Sequence, residues 1–147
     1  MSTSPAATER VTVGIVGASG YGGVQLVRLL LDHPRVTIAH LAGHSSAGRK
    51  FSELYPHLGA FLDAPIQPID VDAIARDCQI VFLALPNGIA CTLAPALQAR
   101  GCRILDLSAD YRFRNLDTYR EWYQPDDEAW PAAAHRDANA RAIYGLP

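Results

Sequence analysis

The sequence has no excess of charge: 13 Lys and Arg stand against 15 Asp and Glu, a net charge of −2. That balance excludes the strong field by which basic proteins hold nucleic acid or an anionic membrane. Long apolar runs are also missing. Ile80 to Pro86 is among the longest, far short of the roughly 20 residues that span a bilayer. The first residues, MSTSPAATER, hold no apolar segment of the kind that a signal peptide needs. They read as a flexible tail over 1–10, and the expected location is cytoplasmic. Cysteine is scarce. Cys78, Cys91 and Cys102 are an odd number without C-x-x-C spacing, which argues against a disulfide framework and against a metal site. No internal repeat is present.

What is there suits a globular domain: 147 residues, 49% hydrophobic and 19% charged. Val11 to Val16 (VTVGIV) is a β-branched run that predicts a buried strand. From Gly22 to Leu31 the apolar residues recur at helical spacing, and His33-Pro34 stops them. Further strands are expected at Val36 to Ala42, Ile80 to Leu85 and Arg103 to Leu107. Further helices are expected at Val71 to Asp77, Ile89 to Arg100 and Leu116 to Tyr123. Phe51 to Pro68 reads as irregular, and the stretch from Tyr123 to Pro147 shows no clear period. Strands alternating with helices predict an α/β fold: a doubly wound, mostly parallel Rossmann-type sheet with helices on both faces.

Between the first strand and its helix stands GASGYGG, with Gly17, Gly20 and Gly23 in G-x-x-G-x-x-G spacing. A dinucleotide-binding turn needs such residues. One glycine permits the tight turn, one lets the backbone approach a pyrophosphate, and one lets helix pack on strand. The helix N-terminus then offers N–H groups to the anion, and Ser19 adds a hydroxyl. A tight strand-to-helix turn with no ligand is the alternative. Dinucleotide folds that select NAD place a carboxylate near the end of the second strand. Here Ala42 is followed by His44, Ser45, Ser46, Ala47, Gly48, Arg49 and Lys50, with no carboxylate before Glu53. Hydroxyls and an arginine suit a 2′-phosphate, so NADP is favoured, with Ser45, Ser46 and Arg49 as candidates. An ordinary solvated basic pair at 49 and 50 is the other reading.

Two more loops fall at the carboxyl edge of the expected sheet. Leu85, Pro86 and Gly88, in LPNG, are candidates to pack on the nicotinamide or its ribose, against the alternative of a plain turn. In DLSADYR (106–112), Arg112 is a candidate grip for a substrate phosphate, against the alternative of a salt bridge to Asp106 or Asp110.

With these segments in order, the chain resembles the N-acetyl-gamma-glutamyl-phosphate reductase family. GASGYGG at 17–23 is similar to the family's GASGYTG, with Gly22 in place of threonine. HSSAGRKFSELYPHL at 44–58 resembles its Ser/Arg-rich loop. FLALPNG at 82–88 resembles FLALPHG, with Asn87 where histidine is usual. DLSADYRF at 106–113 is similar to DLSADFRL. Tyr119, Trp122 and Tyr123 fit its YxxWY element, and IYGLP at 143–147 fits VYGLPE.

The resemblance implies NADPH-dependent reduction of N-acetylglutamyl 5-phosphate to the 5-semialdehyde, in arginine biosynthesis. A cysteine thiolate would attack the acyl phosphate, and hydride would reduce the resulting thioester. It implies cofactor contacts from Gly17, Ser19, Gly20, Tyr21, Gly22, Gly23, Ser45, Ser46, Arg49, Leu85, Pro86 and Gly88, and a substrate contact from Arg112. It also implies a homo-oligomeric full enzyme acting on a small molecule. The family's nucleophile lies in a PGCYPT-like motif after GLPE, and no match to it occurs in these 147 residues. The three cysteines read as core residues. The expectation is therefore a dinucleotide-binding domain over 11–147, with no catalytic residue in the chain and no activity alone. An NADP-binding sensor, the related reductase of carrier-protein-linked lysine synthesis, and a purely structural domain are the other readings.

Overall fold

The computed structural model describes residues 10–123 and 133–145. All but the last residue of the expected tail over 1–10 lies outside them, as do Leu146 and Pro147. The elements run in chain order β1 Val11–Val16, α1 Tyr21–Leu31, β2 Val36–Ala42, α2 Phe51–Leu54, a 3-10 turn Pro56–Leu58, and α3 Val71–Asp77. They continue with β3 Ile80–Leu83, α4 Ala90–Gln98, β4 Arg103–Asp106, α5 Leu116–Tyr123 and α6 Ala133–Arg141.

The four strands form one sheet in the order β2-β1-β3-β4, and every neighbouring pair is parallel. The doubly wound α/β expectation is met. The chain leaves β1 in one direction to make β2, then crosses β1 to make β3 on its other side. The strand order reverses there, and in parallel α/β sheets the crevice that takes ligands lies at such a reversal, beyond the carboxyl ends of the strands, here β1 and β3.

Alternation along the strands sends side chains to two cores. On one face Ile15 and Leu41 meet Val24 and Val27 of α1, together with Phe51, Leu58 and Ile66. On the other, Val16, Val81 and Leu83 meet Ile74 of α3 and Ala94 and Leu97 of α4. Ile15, Val27, Ile74, Val81, Leu83 and Leu97 are completely buried. Each such side chain contributes roughly 1.5–3 kcal/mol by leaving water. Asp70 caps α3, its carboxylate accepting from the N–H groups of Asp72 and Ala73 at 3.0 and 3.1 Å.

The structure departs from the expected elements in several places, among them the two loops, the Phe51 stretch and the C-terminal segment. β3 stops at Leu83 and β4 at Asp106, because the chain turns into the two loops sooner than the apolar runs suggest. The stretch expected to be irregular after Phe51 holds α2 and the 3-10 turn. Phe51 is buried in the α1-side core, and Tyr55 and Leu62 pack against it. In the segment without a clear period, α6 forms over AAHRDANAR, whose buried side is mostly polar: His135 and Asn139 are enclosed beside Ala138. Asn139 Nδ2 donates to the carbonyls of Phe113 and Arg114 at 3.0 and 3.2 Å, so hydrogen bonding rather than an apolar stripe seats this helix.

Candidate functional site

The glycine turn sits at the mouth of the crevice. The N–H groups of Gly17 and Ala18 both donate to the Ala42 carbonyl, at 2.8 and 3.1 Å, tying the end of β1 to the end of β2. Gly17 takes φ +86°, and a Cβ there would lie 2.2 Å from the Ala84 carbonyl oxygen. A Cβ on Gly23 would lie 2.2 Å from the carbonyl oxygen of Gly17. Both places exclude any side chain. Helix α1 begins after Gly20 with no side-chain cap and no acidic residue in its first turn. Among the described residues no side chain caps its leading N–H groups, so they and the positive end of its dipole are available to an anion. Gly17 and Gly23 are thus required by the packing of the turn on β3 and of α1 on the turn, which brings the uncapped helix start to the end of β1. Tyr21 is 95% exposed beside it.

Two side chains that sequence reasoning did not connect brace this turn. Tyr55 Oη donates to the Ser19 carbonyl at 2.7 Å, and Ser46 Oγ donates to Ser19 Oγ at 2.8 Å. Ser46 is buried, so it supports the turn rather than facing solvent. Tyr55 lies in the stretch read as irregular, where no periodic signal could have pointed to it.

The loop after β2 is held by backbone bonds to the segment 64–67. Gly43 N–H donates to Gln67 O, Gly48 N–H to Ile66 O, and Ile66 N–H to Arg49 O, at 3.0, 2.8 and 2.8 Å. Ser45 and Arg49 are exposed on it. Arg49 Nε lies 3.8 Å from Glu53 Oε2, an open and weak pairing. Lys50 is engaged: its Nζ lies 2.9 Å from Asp63 Oδ2, and Ser52 Oγ bonds the other oxygen. The Ser52 hydrogen bond, then that from Lys50, holds the Asp63 carboxyl below its ordinary range.

The two remaining loops lock together. Asn87 Oδ1 accepts from Ala109 N–H at 3.0 Å, and Asp110 Oδ1 accepts from Gly88 N–H at 2.7 Å. Leu85 and Gly88 are half-buried, and Pro86 is exposed. At the end of β4, Asp106 accepts from Ser108 N–H and Oγ at 3.0 and 2.7 Å. Burial raises the Asp106 carboxyl above its ordinary value despite these bonds.

Arg112 takes neither expected carboxylate partner. Its Nη1 donates to Tyr123 Oη at 3.2 Å, and its guanidinium lies 5.7 and 5.8 Å from the ring centres of Phe113 and Tyr144. It lines a cavity of about 650 Å3 with Asp106, Ser108, Tyr111 and Tyr144. None of the glycine-turn residues lines that cavity.

The cysteines are buried. Burial, with Asp77 nearby, pushes the Cys78 thiol up to about 12, and burial also raises Cys102. Thiols so shifted are poor nucleophiles at neutral pH. Cys91 Sγ donates to the Gly88 carbonyl at 2.8 Å. Among the described residues no group of His, Cys, Asp and Glu is arranged to hold a metal. No described helix is long and apolar enough to cross a membrane.

Residues 12–147 match the family model for the semialdehyde dehydrogenase, NAD binding domain. An N-acetyl-gamma-glutamyl-phosphate reductase from a Synechocystis strain is 60% identical over 139 residues, covering 95% of this chain and 38% of that protein. One from Synechococcus elongatus is 60% identical over 140 residues, with the same coverage. The chain thus spans a little over a third of the length of these curated relatives. Among solved structures, aspartate semialdehyde dehydrogenase with NADP from Candida albicans matches at TM-score 0.63 and 24% identity, covering 71% of this chain and 31% of that one. Aspartate semialdehyde dehydrogenase II from Vibrio cholerae, complexed with ASA, matches at TM-score 0.57 and 18% identity, covering 71% and 30%. At these identities the likeness establishes the fold.

Proposed function

The chain belongs to the semialdehyde dehydrogenase family, in its NAD-binding domain, and from that premise we propose that it is the NADP(H)-holding part of an N-acetyl-gamma-glutamyl-phosphate reductase. The observation that carries the dinucleotide reading is the glycine turn packed tightly enough at Gly17 and Gly23 to exclude a Cβ, which delivers the start of α1 to the carboxyl end of β1. Nothing but bare backbone fits there, beside an uncapped helix start. Gly17, Gly20, Tyr21, Gly22 and Gly23 would hold the pyrophosphate, with Ser19 as the hydroxyl nearest them.

The NADP reading rests on the loop at 44–50. It offers Ser45 and Arg49 to solvent and no carboxylate before Glu53, and a guanidinium with a hydroxyl suits a 2′-phosphate. Ser46 acts instead on the shared turn, by bracing Ser19. Leu85, Pro86 and Gly88 would flank the nicotinamide, since they continue from β3 on the side of β1 away from that loop. When bound, the cofactor supplies hydride; the chain's own residues bind and orient it.

The substrate reading rests on the relatives named as reductases at 60% identity and on Arg112. That guanidinium has hydroxyl and aromatic neighbours rather than a carboxylate, so its charge is available to an acyl phosphate. The reaction is the reduction of N-acetylglutamyl 5-phosphate to the 5-semialdehyde. The nucleophile is none of Cys78, Cys91 and Cys102, all of them buried. Residues 11–147 act as one dinucleotide-binding domain, with the acyl chemistry completed by residues outside this sequence. The full enzyme is expected to be a cytoplasmic homo-oligomer.

The test uses the purified chain. It should retain NADP+ in equilibrium dialysis, yet form no NADPH when given N-acetylglutamate 5-semialdehyde, phosphate and NADP+. Failure to retain the nucleotide contradicts the binding role. Turnover contradicts the assignment of the nucleophile outside the chain.

A further inference from the structure

Asp110 is completely buried, and three donors converge on its carboxylate. Gly88 N–H and Tyr119 Oη donate to Oδ1, each at 2.7 Å, and Cys91 N–H donates to Oδ2 at 3.0 Å. Gly88 lies in the turn that leads from β3 into α4, and Cys91 in the first turn of α4 itself. Asn87 Oδ1, one residue before Gly88, accepts from Ala109 N–H, one residue before Asp110, at 3.0 Å. Two adjacent pairs of residues thus exchange hydrogen bonds, and the loops 85–88 and 106–112 form a single clasp. His135 Nε2 lies 2.9 Å from the Asp110 carbonyl oxygen, bringing α6 to the same point. A carboxylate taken this far from water is kept only where its acceptors are satisfied. This one is satisfied by one loop N–H, one N–H from the start of α4 and one tyrosine.

The clasp has a definite place in the crevice. The sheet order β2-β1-β3-β4 puts the loop at 44–50 on one side of the glycine turn and the clasp on the other. A dinucleotide whose pyrophosphate rests on the turn has its adenosine toward the β2 side. Its nicotinamide half then reaches the β3 and β4 ends, where Pro86 and Gly88 lie. The same clasp fixes the start of the segment that carries Arg112, whose N–H bonds the Ala109 carbonyl at 3.0 Å.

We propose that Asp110 is a positioning residue. Through Gly88, with Cys91 anchoring the start of α4 that follows, it sets the 85–88 backbone against the nicotinamide half of the cofactor, and through its own loop it holds Arg112 in fixed register with that half. The inference rests on the dinucleotide reading above.

The experiment compares two nucleotides on the purified chain. NADPH spans the whole crevice; adenosine 2′,5′-bisphosphate lacks the nicotinamide half and engages only the β2 side and the turn. In Asp110→Asn, the side-chain amide brings its own N–H groups toward backbone donors. NADPH affinity is expected to fall about tenfold while the bisphosphate affinity stays within about twofold of wild type. Tyr119→Phe removes one donor and spares the backbone bonds. It should cost roughly two- to threefold on NADPH alone, which keeps the test open if Asp110→Asn does not fold. Equal losses on both nucleotides, or no loss on either, overturn the positioning role. A wild-type chain that binds neither nucleotide overturns the dinucleotide reading and this inference with it.

Discussion

Gly17 and Ala84 meet where the strand order reverses: a Cβ on Gly17 would stand 2.2 Å from the Ala84 carbonyl oxygen. The end of β1 and the segment after β3 are packed backbone to backbone, and Gly17 holds φ +86° to allow it. The neighbouring glycines are not equivalent. A Cβ on Gly23 would strike Gly17 O at 2.2 Å, whereas one on Gly22 finds the Ala84 side chain at an ordinary 3.6 Å. Gly17→Ala and Gly23→Ala should each lower unfolding stability by roughly 3 kcal/mol or more. Gly22→Ala should leave it unchanged or raise it by up to about 1 kcal/mol, since alanine favours the helix. Urea unfolding of the three variants checks the ordering.

The 2′-phosphate loop makes a second, finer distinction. Ser45 and Arg49 are exposed, so their alanine variants should weaken NADPH binding and spare NADH. The expected loss is about tenfold for Arg49→Ala. Ser46 is buried with its hydroxyl on Ser19. Ser46→Ala should weaken both cofactors alike, by roughly two- to fivefold, because it loosens the shared turn. Competition titrations with the two cofactors separate these patterns, and a selective effect of Ser46→Ala contradicts its bracing role.

Much of this organisation was legible in the sequence because it is carried by local pattern. The β-branched run before GASGYGG, and the helical period after it, announce a strand–turn–helix unit. Repetition of that alternation announces the parallel sheet. The glycine positions follow from spacing alone. What stayed hidden is tertiary. Nothing local to Tyr55 shows that its hydroxyl reaches back 36 residues to Ser19. The pairing of Asn87 with Ala109 spans 22 residues across two loops. The α6 segment lacks a strong apolar stripe because its buried side is built from His135 and Asn139 with only the small Ala138 beside them. The sequence alternatives for Arg112, salt bridges to Asp106 or Asp110, gave way to Tyr123, Phe113 and Tyr144, since both carboxylates are taken by nearer donors.

The buried Cys78 thiol sets an alkaline limit. Its ordinary value is 9.0, and burial raises it to about 12 in the fold. An unfolded chain gives up this proton near pH 9, while the folded chain holds it to about 12. The unfolded state thus binds fewer protons in that window, and stability falls as pH rises through it, by at most about 1.4 kcal/mol per pH unit. Stability from this source is fully present below pH 9. Cys78→Ala should flatten the alkaline limb of a stability–pH curve measured by denaturant unfolding. In the native wild type at pH 8, mass spectrometry after iodoacetamide treatment should find Cys78 unalkylated.

Arg112 should matter to the substrate. In a full-length reductase that carries this chain, Arg112→Ala is expected to raise the KM for the acyl phosphate by at least about tenfold. Steady-state kinetics against substrate concentration checks this, and unchanged acyl-phosphate kinetics would remove Arg112 from the site.

The most direct test of the whole account is calorimetric titration of the purified chain with NADPH and, separately, with NADH. The glycine turn at Gly17 and Gly23 together with Ser45 and Arg49 calls for saturable binding of NADPH, at least about tenfold tighter than NADH. Equal affinities would contradict the 2′-phosphate assignment. A folded chain that binds neither would contradict the claim that these residues form a cofactor site.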